Sequence, residues 1–267
     1  MDLERWVDPL VSIAEDAGRA ILDIYETDFE VEQKDDSSPL TKADLAANAI
    51  IVARLGELTP EIPIISEEVG LPDFAERSQW DCYWLIDPLD GTKEFVNRNG
   101  EFTVNIAFIC DHKPVLGVVH VPVTNITYTG CQGLGAERRE ANKSPESISV
   151  ALESASPVRV VGSRSHLGDS LNAFLERLGD FEMHPMGSSL KFCRVAAGGA
   201  DIYPRLGLTS EWDTAAAQAV VEQAGGQVLE LDGSPLSYNK KEDILNPYFL
   251  VIGPQDHDWL GIAQRDA

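Results

Sequence analysis

The chain has 267 residues, with 21 Lys or Arg against 44 Asp or Glu, for a formal charge of −23. That length suits one large domain or two smaller ones, and the 43% hydrophobic and 24% charged fractions are those of an ordinary globular chain. So acidic a surface excludes binding to DNA, RNA or an anionic membrane through a basic face.

The first residues, Met-Asp-Leu-Glu-Arg, lack the basic start and apolar run of a secretory signal. The longest apolar stretch, residues 102–110, is interrupted by Thr103 and Asn105 and falls far short of the roughly 20 residues of a spanning helix. Cys82, Cys110, Cys131 and Cys193 are too widely spaced for a Cys-x-x-Cys motif, so the expectation is reduced thiols.

Leu3, Val7, Leu10, Val11, Ala14, Ala17, Ile21 and Leu22 recur at helical spacing and predict a first amphipathic helix to about residue 25. A polar loop follows over 33–39. Thr41 and Asp44 then form a capping-box-like start to a second helix through residue 55. Residues 62–66 read as a strand whose end presents Glu67, and 83–86 as a strand whose end presents Asp87. Residues 102–109 and 115–121 read as an antiparallel pair turning near 111–113. Charged, Ser and Pro residues cluster over 137–157, which places a subdomain boundary at 153/154. Beyond it, strands at 158–161, 181–184, 227–231 and 249–252 alternate with helices near 169–178, 189–197 and 211–224, the pattern of a layered α/β half.

The chemistry concentrates in Asp87-Pro88-Leu89-Asp90-Gly91-Thr92, with Glu67 about twenty residues upstream. A hard cation such as Mg²⁺ takes carboxylate oxygens and completes its shell with water and substrate phosphate. Glu67, Asp87 and Asp90 are the first-choice ligands, and Gly91 and Thr92 offer backbone N–H groups to a phosphate if a helix or turn begins there. In a chain this acidic, a phosphate is accepted only where bound cations reverse the local repulsion.

Asp44 and Asp213 each stand three positions after a Thr or Ser cap, so each reads equally as a capping carboxylate or as a side chain projecting into a site. The Thr92 hydroxyl either orients an attacking water held with Asp44 or caps the next turn. Ser188 and Lys191, in Gly187-Ser188-Ser189-Leu190-Lys191, form a candidate second anion site, although an exposed helical Lys is commonly just solvated. His166 and Arg205 are further candidates for contacts to an anionic or nucleotide ligand.

Taken together, Glu67 with the Asp87–Thr92 segment, and Trp212-Asp213-Thr214-Ala215-Ala216 followed by Gly225-Gly226, resemble the paired signatures of the inositol monophosphatase-like, lithium-sensitive phosphatase superfamily. Within it, the stretches 90–105, 187–193 and 203–213 look like the CysQ-type 3'(2'),5'-bisphosphate nucleotidases. The resemblance covers nearly the whole chain.

It implies an α+β fold, a layered αβαβα sandwich of two subdomains, 1–153 carrying most metal ligands and 154–267 carrying Asp213 and the nucleotide contacts. It also implies Mg²⁺-dependent, lithium-inhibited hydrolysis of adenosine 3',5'-bisphosphate to AMP and phosphate, in nucleotide turnover and sulfur assimilation. Residue by residue, it assigns Glu67, Asp87, Asp90, Asp213 and the Leu89 carbonyl to two or three Mg²⁺ ions. Asp44 and Thr92, with Glu67, activate water, and the Gly91 and Thr92 amides meet the phosphate. Lys191, Arg205, Ser188 and His166 reach the nucleotide, with Glu67, Leu89, Asp90 and Asp213 also adjoining the substrate. Leu208 departs from the pattern, which often has proline there.

The partner implied is a small phosphorylated nucleotide, with no nucleic acid polymer and no transmembrane segment. The implied location is cytoplasmic, with loose association at the inner membrane face left open. Two other readings of the same residues are an inositol or sugar monophosphatase and, from a different class, a non-catalytic phosphate-responsive regulator.

Overall fold

The computed structural model describes residues 2–26, 31–33, 39–163 and 168–264. Its first layer is helical. Helix α1, Glu4–Tyr25, buries Trp6, Val7, Leu10, Val11, Ala14, Ala17 and Ile21, the stripe expected from the spacing. A short hairpin, β1 Val31–Gln33 and β2 Pro39–Thr41, leads into α2, Lys42–Leu58, which continues one turn beyond the predicted end. The Thr41 side chain and most of the expected 33–39 loop lie outside the described residues.

A seven-stranded sheet comes next, built from β3 Ile64–Ser66, β4 Cys82–Asp90, β5 Thr103–Cys110, β6 Lys113–Val121, β7 Ile126–Cys131, β8 Gly135–Glu140 and β9 Glu146–Ile148, in that spatial order. Short helices α3, Phe74–Arg77, and α4, Thr92–Val96, interrupt the run. Only β3 and β4 pair in parallel. Along β4 the side chains alternate: Trp84 and Ile86 join the core under α1 and α2, while Tyr83 and Leu85 face the opposite core. Burial on both faces explains why this strand reads as a continuous apolar run rather than an alternating one.

Three expectations are corrected in this sheet. The strand predicted over 83–86 runs from Cys82 through Asp90, carrying both aspartates, and its ladder with β5 is irregular between Asp87 and Asp90. The charge-rich start of the 137–157 stretch belongs to β8 and β9, and in β8 neighbouring charges satisfy one another, Arg138 with Glu140 at 2.9 Å and Arg139 with Glu137 at 3.0 Å. Cys82 and Cys110, opposite each other on β4 and β5, form a disulfide, whereas Cys131 and Cys193 are free and buried. A separation of 28 residues hides that pairing until the strands align.

The remaining chain adds β10 Val158–Gly162, α5 Asp169–Leu178, β11 Phe181–Pro185, α6 Leu190–Ala196, β12 Ile202–Arg205, α7 Ala215–Gln223, β13 Gln227–Glu230, β14 Phe249–Ile252 and α8 Trp259–Gln264. Five of these are strands of a second sheet ordered β11-β10-β12-β14-β13. Its inner face joins α6, α7 and the first sheet in one apolar core, and its outer face packs α5 and α8. The layers are therefore α1/α2, sheet, α6/α7, sheet, α5/α8, the αβαβα sandwich that the family resemblance implies.

The helix expected over 211–224 is two pieces, a single 3-10 turn at Glu211–Asp213 and then α7, parted at Thr214. Helix α7 sits very close to the first sheet. A Cβ added at Gly117 of β6 would lie 2.1 Å from the carbonyl oxygen of Ala216, so only glycine fits beneath this alanine-rich helix. That close seating carries the 3-10 turn, and Asp213 with it, to the end of β4.

Candidate active site

Four separate segments converge at the end of β4. Glu67 follows β3, and its N–H bonds to the carbonyl of Ile86 at 3.3 Å, which sets it beside Asp87. Asp87 is 1% exposed, and its Oδ1 accepts the Leu89 N–H at 3.1 Å, folding the strand end around Pro88. Asp213 arrives from the 3-10 turn with its Oδ2 accepting Thr209 Oγ1 at 2.6 Å and the Ser210 N–H at 2.9 Å. One carboxylate oxygen from each of Glu67, Asp87 and Asp213 lies within 4.8 Å of the others.

Asp213 therefore fills both roles open to it in sequence, since the capping box with Ser210 is formed and the carboxylate still joins the cluster. Asp90 is adjacent rather than inside that triplet, with its Oδ2 accepting the Ser189 N–H at 2.6 Å. Asp44, in the first turn of α2, is 2% exposed, and its charge reaches Asp87.

Burial, and then the charges of Glu67, Asp90, Asp213 and Asp44, push the Asp87 carboxyl well above the usual carboxylate range. Burial and Asp90 push Asp213 up to about 7. The physical cause is the same for both: carboxylates are crowded out of water, and among the described residues no Lys or Arg is one of the leading causes of either shift. An all-oxygen, mutually repelling set without Cys or His is what Mg²⁺ requires, so the residues fit such an ion.

Gly91, at φ +96°, makes the left-handed turn that ends β4 and opens α4 at Thr92. Helix α4 packs against β2, immediately before Asp44. A cleft of about 500 Å³ opens beside Asp90, Gly91 and Asp213. Its lining combines polar groups, among them Ser188, Lys191, Arg205 and Glu94, with apolar ones, among them Leu171, Phe192, Tyr203 and Leu206.

Lys191 is not a solvated surface cation. It is 7% exposed, donates from Nζ to the Ser188 carbonyl at 2.7 Å, and lies 5.4 Å from the Tyr203 ring centroid. Arg205, at the end of β12, bonds to the Leu208 carbonyl, and its Nε is buried without a partner. Leu208 is 67% exposed and lines the cleft. His166 lies outside the described residues.

Sequence reading missed Thr209 and Ser189, which bond to Asp213 and Asp90, Asn105, which bonds to the Ser189 hydroxyl, and Glu94, which lines the cleft. Glu94 alone had a signal, its place two residues after Thr92 in the motif.

A model of the inositol monophosphatase family matches residues 2–262. The chain belongs to the inositol monophosphatase family. Among curated members, the 3'(2'),5'-bisphosphate nucleotidase CysQ of Escherichia coli (strain K12) is 46% identical over 247 residues, 92% of this chain and 98% of its own. That of Haemophilus influenzae is 34% identical over 262 residues, 98% and 97% of the two chains.

Among solved structures, CysQ from Bacteroides thetaiotaomicron, a bacterial member of the inositol monophosphatase family, superposes with a TM-score of 0.81 at 41% identity, covering 92% of this chain and 96% of its own. Thermotoga maritima IMPase superposes with a TM-score of 0.78 at 26% identity, covering 96% of each. The inositol monophosphatase family is metal-dependent, and the Glu67, Asp87, Asp213 cluster is the acidic group found here among the described residues. No helix among them is long and apolar enough to cross a membrane.

Proposed function

We propose that the chain is a Mg²⁺-dependent phosphomonoesterase that removes the 3'-phosphate of adenosine 3',5'-bisphosphate, leaving AMP. The observation that carries this reading is the cleft beside the carboxylates. It combines a buried cation, Lys191, with apolar surface from Leu171, Phe192, Tyr203 and Leu206, in about 500 Å³. A simple phosphorylated polyol needs neither feature, whereas a nucleotide bisphosphate brings a second phosphate for Lys191 and Arg205 and a base for the apolar surface. The volume falls within the range usual for small-ligand pockets. The 46% identity to bisphosphate nucleotidases over 92% of the chain supports the same substrate.

Glu67, Asp87, Asp90, Asp213 and the Leu89 carbonyl are the groups that would hold Mg²⁺, as two ions and at most three. When bound, Mg²⁺ supplies charge neutralisation of the transferring phosphoryl group and of the departing oxygen. The chain's own residues do the rest. The Gly91 and Thr92 amides orient the phosphate at the turn into α4. Asp44 takes the proton of the attacking water by way of the Thr92 hydroxyl. As the new P–O bond forms, the bond to the 3'-oxygen breaks, and that oxygen leaves with a proton from solvent.

Direct attack by water is favoured over a phospho-enzyme because, among the described residues, no Cys or His stands ready among these acids. Burial raises the Cys193 thiol far above its ordinary value, and the Ser189 hydroxyl already donates to a backbone carbonyl. Ser188, Lys191, Arg205 and His166 are assigned to the nucleotide. The formal charge of −23 argues against binding to anionic membranes.

The test compares phosphate release from adenosine 3',5'-bisphosphate and from inositol 1-phosphate, with Mg²⁺, with chelator and with added Li⁺. The proposal expects Mg²⁺-dependent, Li⁺-inhibited turnover that favours the bisphosphate. Preference for inositol 1-phosphate would keep the metal site and remove the substrate assignment.

A further inference from the structure

The neighbours Ser188 and Ser189 face in different directions. Ser188 adopts φ +43°, and its Oγ is buried without a partner among residues lining the cleft. The turn this creates directs Ser189, 1% exposed, back between the two sheets. There its N–H donates to Asp90 Oδ2 at 2.6 Å, and its hydroxyl donates to the Asp213 carbonyl oxygen at 2.6 Å. The same hydroxyl accepts from Asn105 Nδ2 at 3.0 Å.

A hydroxyl has one proton, and a carbonyl can only accept. The short contact to Asp213 therefore commits that proton, and Asn105 must present its amide nitrogen to Ser189. Asn105 is 1% exposed and is the ladder partner of Asp87 on β5. One residue thus ties together the strand pair bearing Asp87, the carboxylate of Asp90 and the backbone of Asp213, across sequence separations of 84, 99 and 24 residues.

We infer that Ser189 is a positioning residue that fixes the spacing of Asp87, Asp90 and Asp213, and so sets the affinity of the site for a divalent cation. The inference rests on the reading of these carboxylates as the metal site. Without the hydroxyl, Asn105 and the Asp213 carbonyl lose their shared partner, and the 3-10 turn is no longer held to β5. Partners that orient metal ligands in this way are commonly worth 10–100-fold in metal affinity.

Any buried serine contributes to folding, so a matched control is needed. Thr59 provides it: 2% exposed, its hydroxyl donates to the Leu55 carbonyl at 3.2 Å and accepts from Trp84 Nε1 at 2.8 Å, with no bond to any of the carboxylates. The experiment measures Mn²⁺ binding by calorimetry and by the electron paramagnetic resonance signal of free Mn²⁺. Both are run on the wild type and on Ser189→Ala, Asn105→Ala, the double variant and Thr59→Val. Mg²⁺ half-saturation of phosphate release is measured alongside.

The expected result is an Mn²⁺ dissociation constant raised about 10–100-fold in Ser189→Ala, with Mg²⁺ half-saturation raised in proportion. KM for the bisphosphate at saturating Mg²⁺ stays within about threefold, since the cleft's own contacts are unchanged. Asn105→Ala moves the same way, and the double variant adds little, because the two residues act through one bond. Thr59→Val lowers the melting temperature and leaves Mn²⁺ binding unchanged. Wild-type Mn²⁺ affinity in Ser189→Ala, or an equal shift in Thr59→Val, overturns the inference. Should Ser189→Ala not fold, Asn105→Ala decides by the same criterion. Failure of the wild type to bind Mn²⁺ would instead overturn the metal-site reading beneath it.

Discussion

Replacing Asp87 with Asn separates the functional from the structural cost of the acidic cluster, because the two respond in opposite directions. Asp87 presents an oxygen within 4.8 Å of one from Glu67 and one from Asp213. Two unit charges at that distance repel by about 3 kcal/mol at an effective dielectric constant of about 20. Part of this repulsion is relieved in the metal-free protein by proton uptake, as the rise of Asp213 to about 7 records. Asp87 is itself held well above the usual carboxylate range, so above about pH 4 the metal-free fold must either keep a proton there or carry the repulsion, and neutralising Asp87 should stabilise it by about 2 kcal/mol.

For a chain of this size that corresponds to a melting temperature about 5 °C higher. The amide oxygen of Asn can still accept the Leu89 N–H, so the strand end is preserved. The same substitution removes a ligand, and turnover should fall by about three orders of magnitude, the equivalent of about 4 kcal/mol of transition-state stabilisation. Thermal unfolding in chelator and in excess Mg²⁺, with phosphate release on the same samples, reads both effects. A variant that melts lower than wild type in chelator, or is still stabilised by Mg²⁺ as strongly as wild type, would refute the reasoning.

The remaining predictions concern the cleft and the core. Lys191→Ala should lower kcat/KM for the bisphosphate about 10–100-fold more than for a simple sugar phosphate, the value of a charge-assisted hydrogen bond; equal loss on both removes Lys191 from specificity. Gly117→Ala should destabilise the fold by about 3 kcal/mol or more in denaturant titration, since the new methyl would meet the Ala216 carbonyl and neither backbone can easily withdraw. His120 is 2% exposed, pairs Nδ1 with Thr127 Oγ1 at 2.8 Å, and is lowered from 6.5 to about 4 by burial, with Arg19 adding to the shift. The unfolded chain gains that proton near 6.5 and the folded chain only near 4, so stability is full above about pH 6.5. It should decline by about 3 kcal/mol as pH falls to about 4. His120→Gln should flatten that part of the stability–pH curve, and an unchanged slope would remove His120 as its cause.

Sequence alone reaches unevenly into this molecule, and the reasons are physical. Helix α1 is legible because one stripe of it is buried, and β4 because an unbroken apolar run must be covered on both sides. The end of β4 is misread as a turn because Pro88 and Gly91 signal one, whereas the strand runs on to Asp90 before Gly91 breaks it. Strands β8 and β9 are missed because they are rich in charge, which in β8 is satisfied by neighbouring pairs, so their composition resembles a linker. The Cys82–Cys110 disulfide follows from strand register, which composition does not encode.

At the site, Asp87 and Asp90 stand out through their local chemistry. Asp213 is ambiguous because one carboxylate serves as both cap and cluster member. The Ser189–Asn105 link is invisible in sequence, since a buried serine 84 residues from its partner carries no local pattern. The resemblance to a known family supplies the layer order, which periodicity cannot give.

The most direct measurement is the product of the reaction itself. Adenosine 3',5'-bisphosphate is incubated with the protein and Mg²⁺, and the products are resolved by phosphorus NMR against authentic standards. The account predicts inorganic phosphate and adenosine 5'-monophosphate in equal amounts, with none formed in chelator and about a thousandfold less formed by Asp87→Asn. Adenosine 3'-monophosphate as the product, or turnover undiminished without metal, would contradict it.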